Sequence, residues 1–245
     1  MNKGIIFDLD GTIYYGDSLA PYAKELIDEV KQLGYEVIFF TNNSTKSREK
    51  ILSKIENFGI DTTIDRIYTS SFATAKYLDE KDIREVFLIG TSDFNKELNK
   101  LNIKVVSEFN AKAVVIGLDE NFSYNTISKA LIAVNNGASI IASNKDSNYP
   151  IEHGVIKPGS NAILASLLGC CNTKTKADYI VGKPNTYLLE IISKDWNLDK
   201  NSIYVVGDSI DSDIAMANNY NCKSILIADG QHSLKDIVNI IKKGD

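Results

Sequence analysis

Short apolar runs of strand length alternate with helix-period segments along most of the chain, and this alternation constrains the fold more than any other feature. Gly4-Ile5-Ile6-Phe7 precedes an amphipathic stretch from Pro21 to Leu33 that Gly34 closes. Glu36-Val37-Ile38-Phe39-Phe40 follows, with Ser44 or Thr45 placed to cap a helix reaching about Asn57 and Gly59 beyond it. Near the end, Tyr179-Ile180-Val181 precedes a helix from Pro184. Ser202 to Val206 precedes one from about Asp211, and Lys223 to Ile227 precedes one from Ser233. Such alternation specifies a parallel sheet with helices on both faces. The runs are nearly continuous in apolar residues, as strands buried on both sides must be. The expected fold class is α/β, with a doubly wound, Rossmann-like parallel sheet core.

The middle of the chain has a cycle of its own. Val86 to Ile89, Lys104 to Val106, Val114 to Ile116 and Ser139 to Ala142 read as strands. Phe94 to Leu101, Tyr124 to Asn136 and Pro158 to Leu168 read as helices. This stretch divides the first unit in two, so it is an insertion and not a tandem domain. The expected division is 1–79 with 178–245 as the core and 80–177 as a smaller inserted α/β domain. A chain of 245 residues can supply each with its own apolar interior.

Charge and composition narrow the function. Net charge is -5 and no block of Lys or Arg stands out, which argues against nucleic acid or an anionic membrane as partner. No apolar run approaches the roughly 18 residues of a membrane-spanning helix, and the run after Met1-Asn2-Lys3 is too short for a signal peptide and ends in Asp8. A cytoplasmic location is expected. Cys170, Cys171 and Cys222 make neither a disulfide framework nor a zinc site, and His153 and His232 read as separate surface residues.

In an open parallel sheet the site lies at the carboxyl ends of the strands. Four runs end there in polar bursts: Asp8-Leu9-Asp10-Gly11-Thr12, Thr41-Asn42-Asn43-Ser44, Gly182-Lys183-Pro184, and Gly207-Asp208 through Asp213. Asp8 and Asp10 have the alternate spacing that lets both face one side, and Asp208 and Asp213 add further carboxylates. Crowded carboxylates resist ionisation. A hard divalent cation such as Mg2+, which prefers oxygen ligands, relieves them. Lys183 adds a fixed positive charge, and Thr41 adds a hydroxyl followed by backbone N–H groups that open a helix. Carboxylates, a hard cation, a lysine and an N–H cradle together suit phosphoryl transfer. Asp8, directly off its strand, fits the nucleophile that forms an aspartyl phosphate. Asp10, just beyond, fits the acid that protonates the leaving oxygen and the base that then activates water. Asp211 reads as a helix N-cap outside this set.

Asp8-Leu9-Asp10-Gly11-Thr12 resembles the first motif of the haloacid dehalogenase superfamily, Thr41 its second, Lys183 its third, and Asp208 with Asp213 its fourth. The insertion lies between the second and third motifs, as in members with a C2-type cap. Phe40-Thr41-Asn42-Asn43, Tyr68 through Ala75 and Val181-Gly182-Lys183-Pro184 are similar to the class IIA branch of NagD-like and p-nitrophenyl phosphatases. The resemblance covers nearly the whole chain. It implies Asp8, the Asp10 carbonyl and Asp208 as magnesium ligands, with Asp213 as support behind them. It implies that Thr41, Asn42 and Lys183, with Gly11 of the first motif, hold the phosphate. It also makes Ser143 to Tyr149 the cap's substrate loop, in which Asn144 and Asp146 are the candidate specificity residues. Tyr14 and Tyr15, after the nucleophile loop, either line the cleft or pack structurally.

The expected activity is hydrolysis of small soluble phosphomonoesters: sugar, glycerol, nucleoside or aryl phosphates. Transfer to another acceptor, as in a phosphomutase, and a non-catalytic phosphometabolite sensor are the alternatives. The expected partner is a small phosphorylated metabolite, and a homodimer through the cap stays open.

Overall fold

The structure is a computed structural model that describes residues 1–150, 155–172, 174–227 and 232–244. In chain order the elements are β1 (Asn2–Asp8), a hairpin of β2 (Tyr14–Tyr15) and β3 (Ser18–Leu19), α1 (Ala23–Gln32), β4 (Tyr35–Thr41), α2 (Arg48–Asn57), β5 (Ile67–Thr69) and α3 (Ser70–Glu80). There follow β6 (Glu85–Ile89), α4 (Ser92–Lys100), β7 (Lys104–Val105), β8 (Ala113–Ile116), α5 (Tyr124–Asn135) and β9 (Ser139–Ala142). Next come β10 (Asn148–Pro150), β11 (Ile156–Pro158), α6 (Ser160–Cys170) and β12 (Tyr179–Ile180). The chain finishes with α7 (Tyr187–Asp195), β13 (Leu198–Gly207), α8 (Ala215–Tyr220), β14 (Lys223–Leu226) and α9 (Ile237–Gly244).

Two compact units result. The first comprises Met1–Thr41, Arg48–Tyr68 and Lys183–Asp245; the second comprises Asn42–Ser47 and Thr69–Gly182. The first holds a five-stranded sheet of order β14-β13-β1-β4-β5. Its β1 runs parallel to both β13 and β4, and β13 parallel to β14. The interior gathers Ile5 and Phe7 of β1, Val37 and Phe39 of β4, Tyr204 and Val206 of β13, and the apolar stripes of α1 and α9. Each such side chain, once buried, contributes about 1.5–3 kcal/mol. With β1 at the centre of the sheet, its C-terminal residue Asp8 leaves the strand at a rigid point.

The second unit repeats the plan, with a parallel sheet of order β12-β9-β8-β6-β7. Ala130 and Ala133 of α5 and Ile163, Leu164 and Leu167 of α6 pack against Val114, Ile116 and Ile140. The molecule is therefore a Rossmann-like α/β core with an inserted α/β cap, as its element pattern implies.

Three local readings change. Tyr179–Ile180, expected in the first sheet, pairs with Ile141 and Ala142 in the second. Its two half-buried residues suit the edge of that sheet, and the change of unit falls after Gly182 instead of before Asp178. The helix expected from Ser44 or Thr45 begins only at Arg48. Asn43 Oδ1 accepts from the N–H groups of Thr45 (2.8 Å) and Lys46 (3.1 Å) and holds a turn there instead. Ser44 Oγ accepts from Leu118 N at 3.0 Å. Asp211 is no N-cap: it lies inside a π-type turn, Ile210–Ile214, ahead of α8. His153 lies outside the described residues, and His232 is exposed. No helix among the described residues is long and apolar enough to cross a membrane.

Candidate active site

β1, β4 and β13 end side by side, and their ends supply most of the polar groups. Asp8 terminates β1 and Thr41 terminates β4. Asp208 follows Gly207 at the end of β13, and Asp213 stands in the π-type turn beyond. Lys183 enters at the point where the chain returns to the first unit. Asp8, Lys183 and Asp213 are buried, while Asp10 and Asp208 are exposed.

Lys183 is the hub. Its Nζ donates to Asp8 Oδ1 at 2.5 Å and to Asp213 Oδ1 at 2.7 Å. Asp213 Oδ2 in turn accepts from Ser209 N at 3.1 Å. Both oxygens of Asp213 are thus engaged by protein donors, which suits it to hold Lys183 and the loop. Carboxylate oxygens of Asp8, Asp208 and Asp213 all lie within 4.8 Å of one another. Gly11 makes this approach possible: its φ is +95°, and a Cβ there would collide with the Asp208 carboxylate.

The electrostatics follow from burial and crowding. Loss of water holds the Asp8 carboxyl well above the usual carboxylate range; the positive charge of Lys183 opposes this, and Asp213 and Asp208 add to it. Asp208 is raised by desolvation and by Asp213. Burial alone would lower Lys183, but the charges of Asp213 and Asp8 outweigh it and keep the ammonium charged far above its ordinary value. One cation facing three carboxylates leaves negative charge uncompensated. The group offers only hard oxygen donors, which fits a divalent cation of the magnesium type and not a thiolate- or imidazole-loving metal.

Asp10 stands beside this group. Its carboxylate receives a long hydrogen bond from Thr41 Oγ1, 3.4 Å, and burial, with the negative charges of Asp10 and Asp8 nearby, raises the Tyr14 phenol above its ordinary value. Tyr14 went unassigned in the sequence. The pair Tyr14-Tyr15 gives no sign of which ring turns inward; the structure buries Tyr14 and leaves Tyr15 exposed.

The remaining candidates, Asn42, Asn144 and Asp146, belong to the second unit, where they form one network. Asn42 Nδ2 donates to Asp146 Oδ1 at 2.9 Å, and Asn144 Nδ2 donates to the Asn42 carbonyl at 2.7 Å. Asn144 Oδ1 accepts from Asp146 N at 3.1 Å and also from the Ser160 hydroxyl. Ser70 Oγ donates to the Asn42 carbonyl at 2.7 Å. Gly182 leaves room for the group, since a Cβ there would meet Asn42 Oδ1 at 2.5 Å and the Ser143 carbonyl at 2.6 Å. Sequence reasoning missed Ser70 and Ser160, because a serine at a helix start carries no mark of the loop it supports.

Residues 5–104 match the family model of haloacid dehalogenase-like hydrolases, and residues 180–245 match a HAD-hydrolase-like model. An acid sugar phosphatase of Staphylococcus aureus is 33% identical over 238 residues, spanning 97% of this chain and 90% of that protein. The p-nitrophenyl phosphatase from Archaeoglobus fulgidus superposes with a TM-score of 0.88 at 30% identity, covering 99% of this chain and 92% of the other. A 4-nitrophenylphosphatase from Thermotoga maritima gives 0.87 at 31% identity, covering 97% and 90%. The chain belongs to the haloacid dehalogenase superfamily, within its NagD-like, C2-capped class IIA branch, and is a phosphoric monoester hydrolase.

Proposed function

We propose that the chain hydrolyses small soluble phosphomonoesters, sugar phosphates foremost, in a magnesium-dependent reaction through an aspartyl phosphate on Asp8. The observation that carries this reading is the buried Lys183 bridging Asp8 and Asp213 beside Asp208, at the ends of three adjacent strands. The sugar class follows the name of the Staphylococcus aureus relative. A cytoplasmic setting accompanies it, in keeping with the cysteine usage.

Asp8, the Asp10 carbonyl and Asp208 would hold Mg2+. The ion supplies positive charge against the carboxylates and against the phosphoryl oxygens. Asp8 is the attacking group. Its rigid position at the end of β1 limits it to one approach line, and Lys183 favours its ionised form. Lys183 also neutralises charge on the phosphoryl oxygens, while Thr41, Gly11 and Asn42 seat them. Asp10 gives its proton to the leaving oxygen as the phosphorus–oxygen bond breaks. It then takes a proton from the water that releases phosphate from Asp8. Asp213 keeps Lys183 in place. Asn144 and Asp146 read the leaving group.

The test is phosphate release from a panel of sugar, glycerol, nucleoside and aryl phosphates with Mg2+, using Asp8→Asn as control. Release by the wild type alone supports the reading. Undiminished release by Asp8→Asn removes Asp8 as nucleophile, and activity indifferent to EDTA removes the cation.

A further inference from the structure

Among the polar groups around Asn144, the Ser160 hydroxyl has no part in the scheme above. We infer that Ser160, the first residue of α6, is a positioning residue for substrate selection: its hydroxyl locks the Asn144 side chain in the orientation from which the loop reads a leaving group. The inference rests on the proposed role of Asn144 and Asp146.

The start of α6 is built around that loop. Its N-cap, Gly159, has no side chain with which to satisfy the first N–H groups of the helix. The loop backbone takes that part. Asn161 N donates to the Asp146 carbonyl at 3.1 Å, and Gly159 N donates to the Ser147 carbonyl at 2.9 Å. The approach needs a glycine, since a Cβ at position 159 would collide with the Asp146 carbonyl. These backbone bonds hold the loop against α6 whatever side chain stands at position 160. Ser160 adds a contact of another kind. It is buried, and its one hydroxyl hydrogen is shared between the Asn144 carbonyl, at 3.1 Å, and Asn144 Oδ1. A donor seated between the backbone and side-chain oxygens of one residue restricts that residue to a single rotamer.

What Asn144 can then offer follows from its amide. Oδ1 accepts from Asp146 N at 3.1 Å and from Ser160, which uses both of its lone pairs. One amide hydrogen goes to the Asn42 carbonyl at 2.7 Å. The other has no partner among the described residues, and it is the one group with which the Asn144 side chain can meet a substrate oxygen. Without the serine hydroxyl, Oδ1 keeps a single partner and the side chain regains rotational freedom, so that hydrogen loses its direction. Polyol leaving groups carry oxygens that depend on such a donor. A nitrophenyl ring carries no hydroxyl and depends on it less.

The experiment compares kcat/KM for a hexose phosphate, glycerol phosphate and p-nitrophenyl phosphate, with Mg2+ present, in wild type, Ser160→Ala, Asn144→Ala, Asp146→Ala and the double variant Ser160→Ala/Asn144→Ala. Melting temperatures are measured alongside. Ser160→Ala should lower the rates for the two polyol esters relative to the aryl ester by about two- to tenfold, the effect of one net hydrogen bond. Asn144→Ala should shift the ranking in the same direction, and adding Ser160→Ala to it should shift the ranking no further. If Asn144→Ala and Asp146→Ala change the ranking and Ser160→Ala does not, the role of Ser160 alone is overturned. If neither Asn144→Ala nor Asp146→Ala changes it, the loop does not read the leaving group, and the inference falls with that reading. Additive shifts in the double variant mean that Ser160 does not act through Asn144. A parallel loss on all three substrates in Ser160→Ala, or loss of its fold, makes Ser160 structural.

Discussion

Lys183 makes two ion pairs from a buried position, with Asp8 and with Asp213, and what happens when it is removed follows from that. Lys183→Met leaves Asp8, Asp208 and Asp213 facing one another with no cation. Breaking a buried pair by deleting one partner costs about 3–5 kcal/mol, mostly because the remaining charge is stranded. Urea denaturation of the metal-free variant should show a loss of that order, and turnover should vanish even where the protein stays folded. Asp213→Asn is the milder case. The amide keeps the shape but no longer repels Asp8, so it should leave folding nearly intact while loosening Lys183 and lowering kcat. Wild-type kcat in Asp213→Asn would take the support role away from that residue. Gly11 belongs to the same scale. At φ +95° a side chain is strained by about 1–3 kcal/mol, and its Cβ would displace the Asp208 carboxylate. Gly11→Ala should therefore weaken Mg2+ dependence as well as stability, read from an activity titration with the ion. An unchanged half-saturating concentration would separate Gly11 from the metal group.

At the scale of elements, the loop after β9 joins the two candidate specificity residues to Asn42. Asp146 accepts from the Asn42 amide and Asn144 donates to its carbonyl. Asp146→Ala should therefore do two things at once: free the Asn42 side chain and alter the polar lining of the loop. Relative rates across a substrate panel should change more than Mg2+ dependence does; an unchanged substrate profile would return the loop to a purely structural role. The same loop marks what could be read from the sequence. Elements with strong period and punctuation were legible: β1, β4, α1 with Gly34 behind it, and the helical start at Ser233, where the structure adds a capping box with Asp236 ahead of α9. The carboxylates Asp8, Asp10, Asp208 and Asp213 were legible as a group because strand ends of a parallel sheet share one edge. β12 was not, because two residues flanked by turns carry no sign of which sheet they join. The delayed start of α2 was not, because Asn43 competes with Ser44 and Thr45 for the same N–H groups, and only the fold decides between them. Tyr14 was equally hidden, since burial of one tyrosine in a pair is fixed by Phe58 and Lys54, 44 and 40 residues away in sequence.

At the scale of the whole molecule, the chain changes unit after Thr41 and again after Gly182, so two of the four crossings adjoin Thr41 and Lys183, the residues proposed to hold phosphate. Of the proposed site, Asp8, Asp10, Gly11, Thr41, Lys183, Asp208 and Asp213 belong to the first unit, and Asn42 with the polar loop to the second; the charge balance of the first sets how stability depends on pH. Asp8 and Asp208 both lie above the ordinary carboxylate range in the folded state. The folded metal-free chain therefore binds their protons more tightly than the unfolded chain does. By linkage, these two groups favour folding at low pH, and that contribution is lost as pH rises from about 4 through their raised folded values. Above those values the full repulsion is present. A divalent cation removes it, but only when the carboxylates have given up their protons. Mg2+ should then raise the melting temperature of the wild type more at pH 8 than at pH 5.5, with EDTA setting the metal-free baseline at each pH. The stabilisation follows mass action, about 2.7 kcal/mol at a hundredfold excess over the dissociation constant. Asp208→Asn should flatten the pH dependence of that shift, because it removes one ligand and one source of repulsion together. A shift of equal size at both pH values would mean that the ion binds elsewhere than at Asp8 and Asp208.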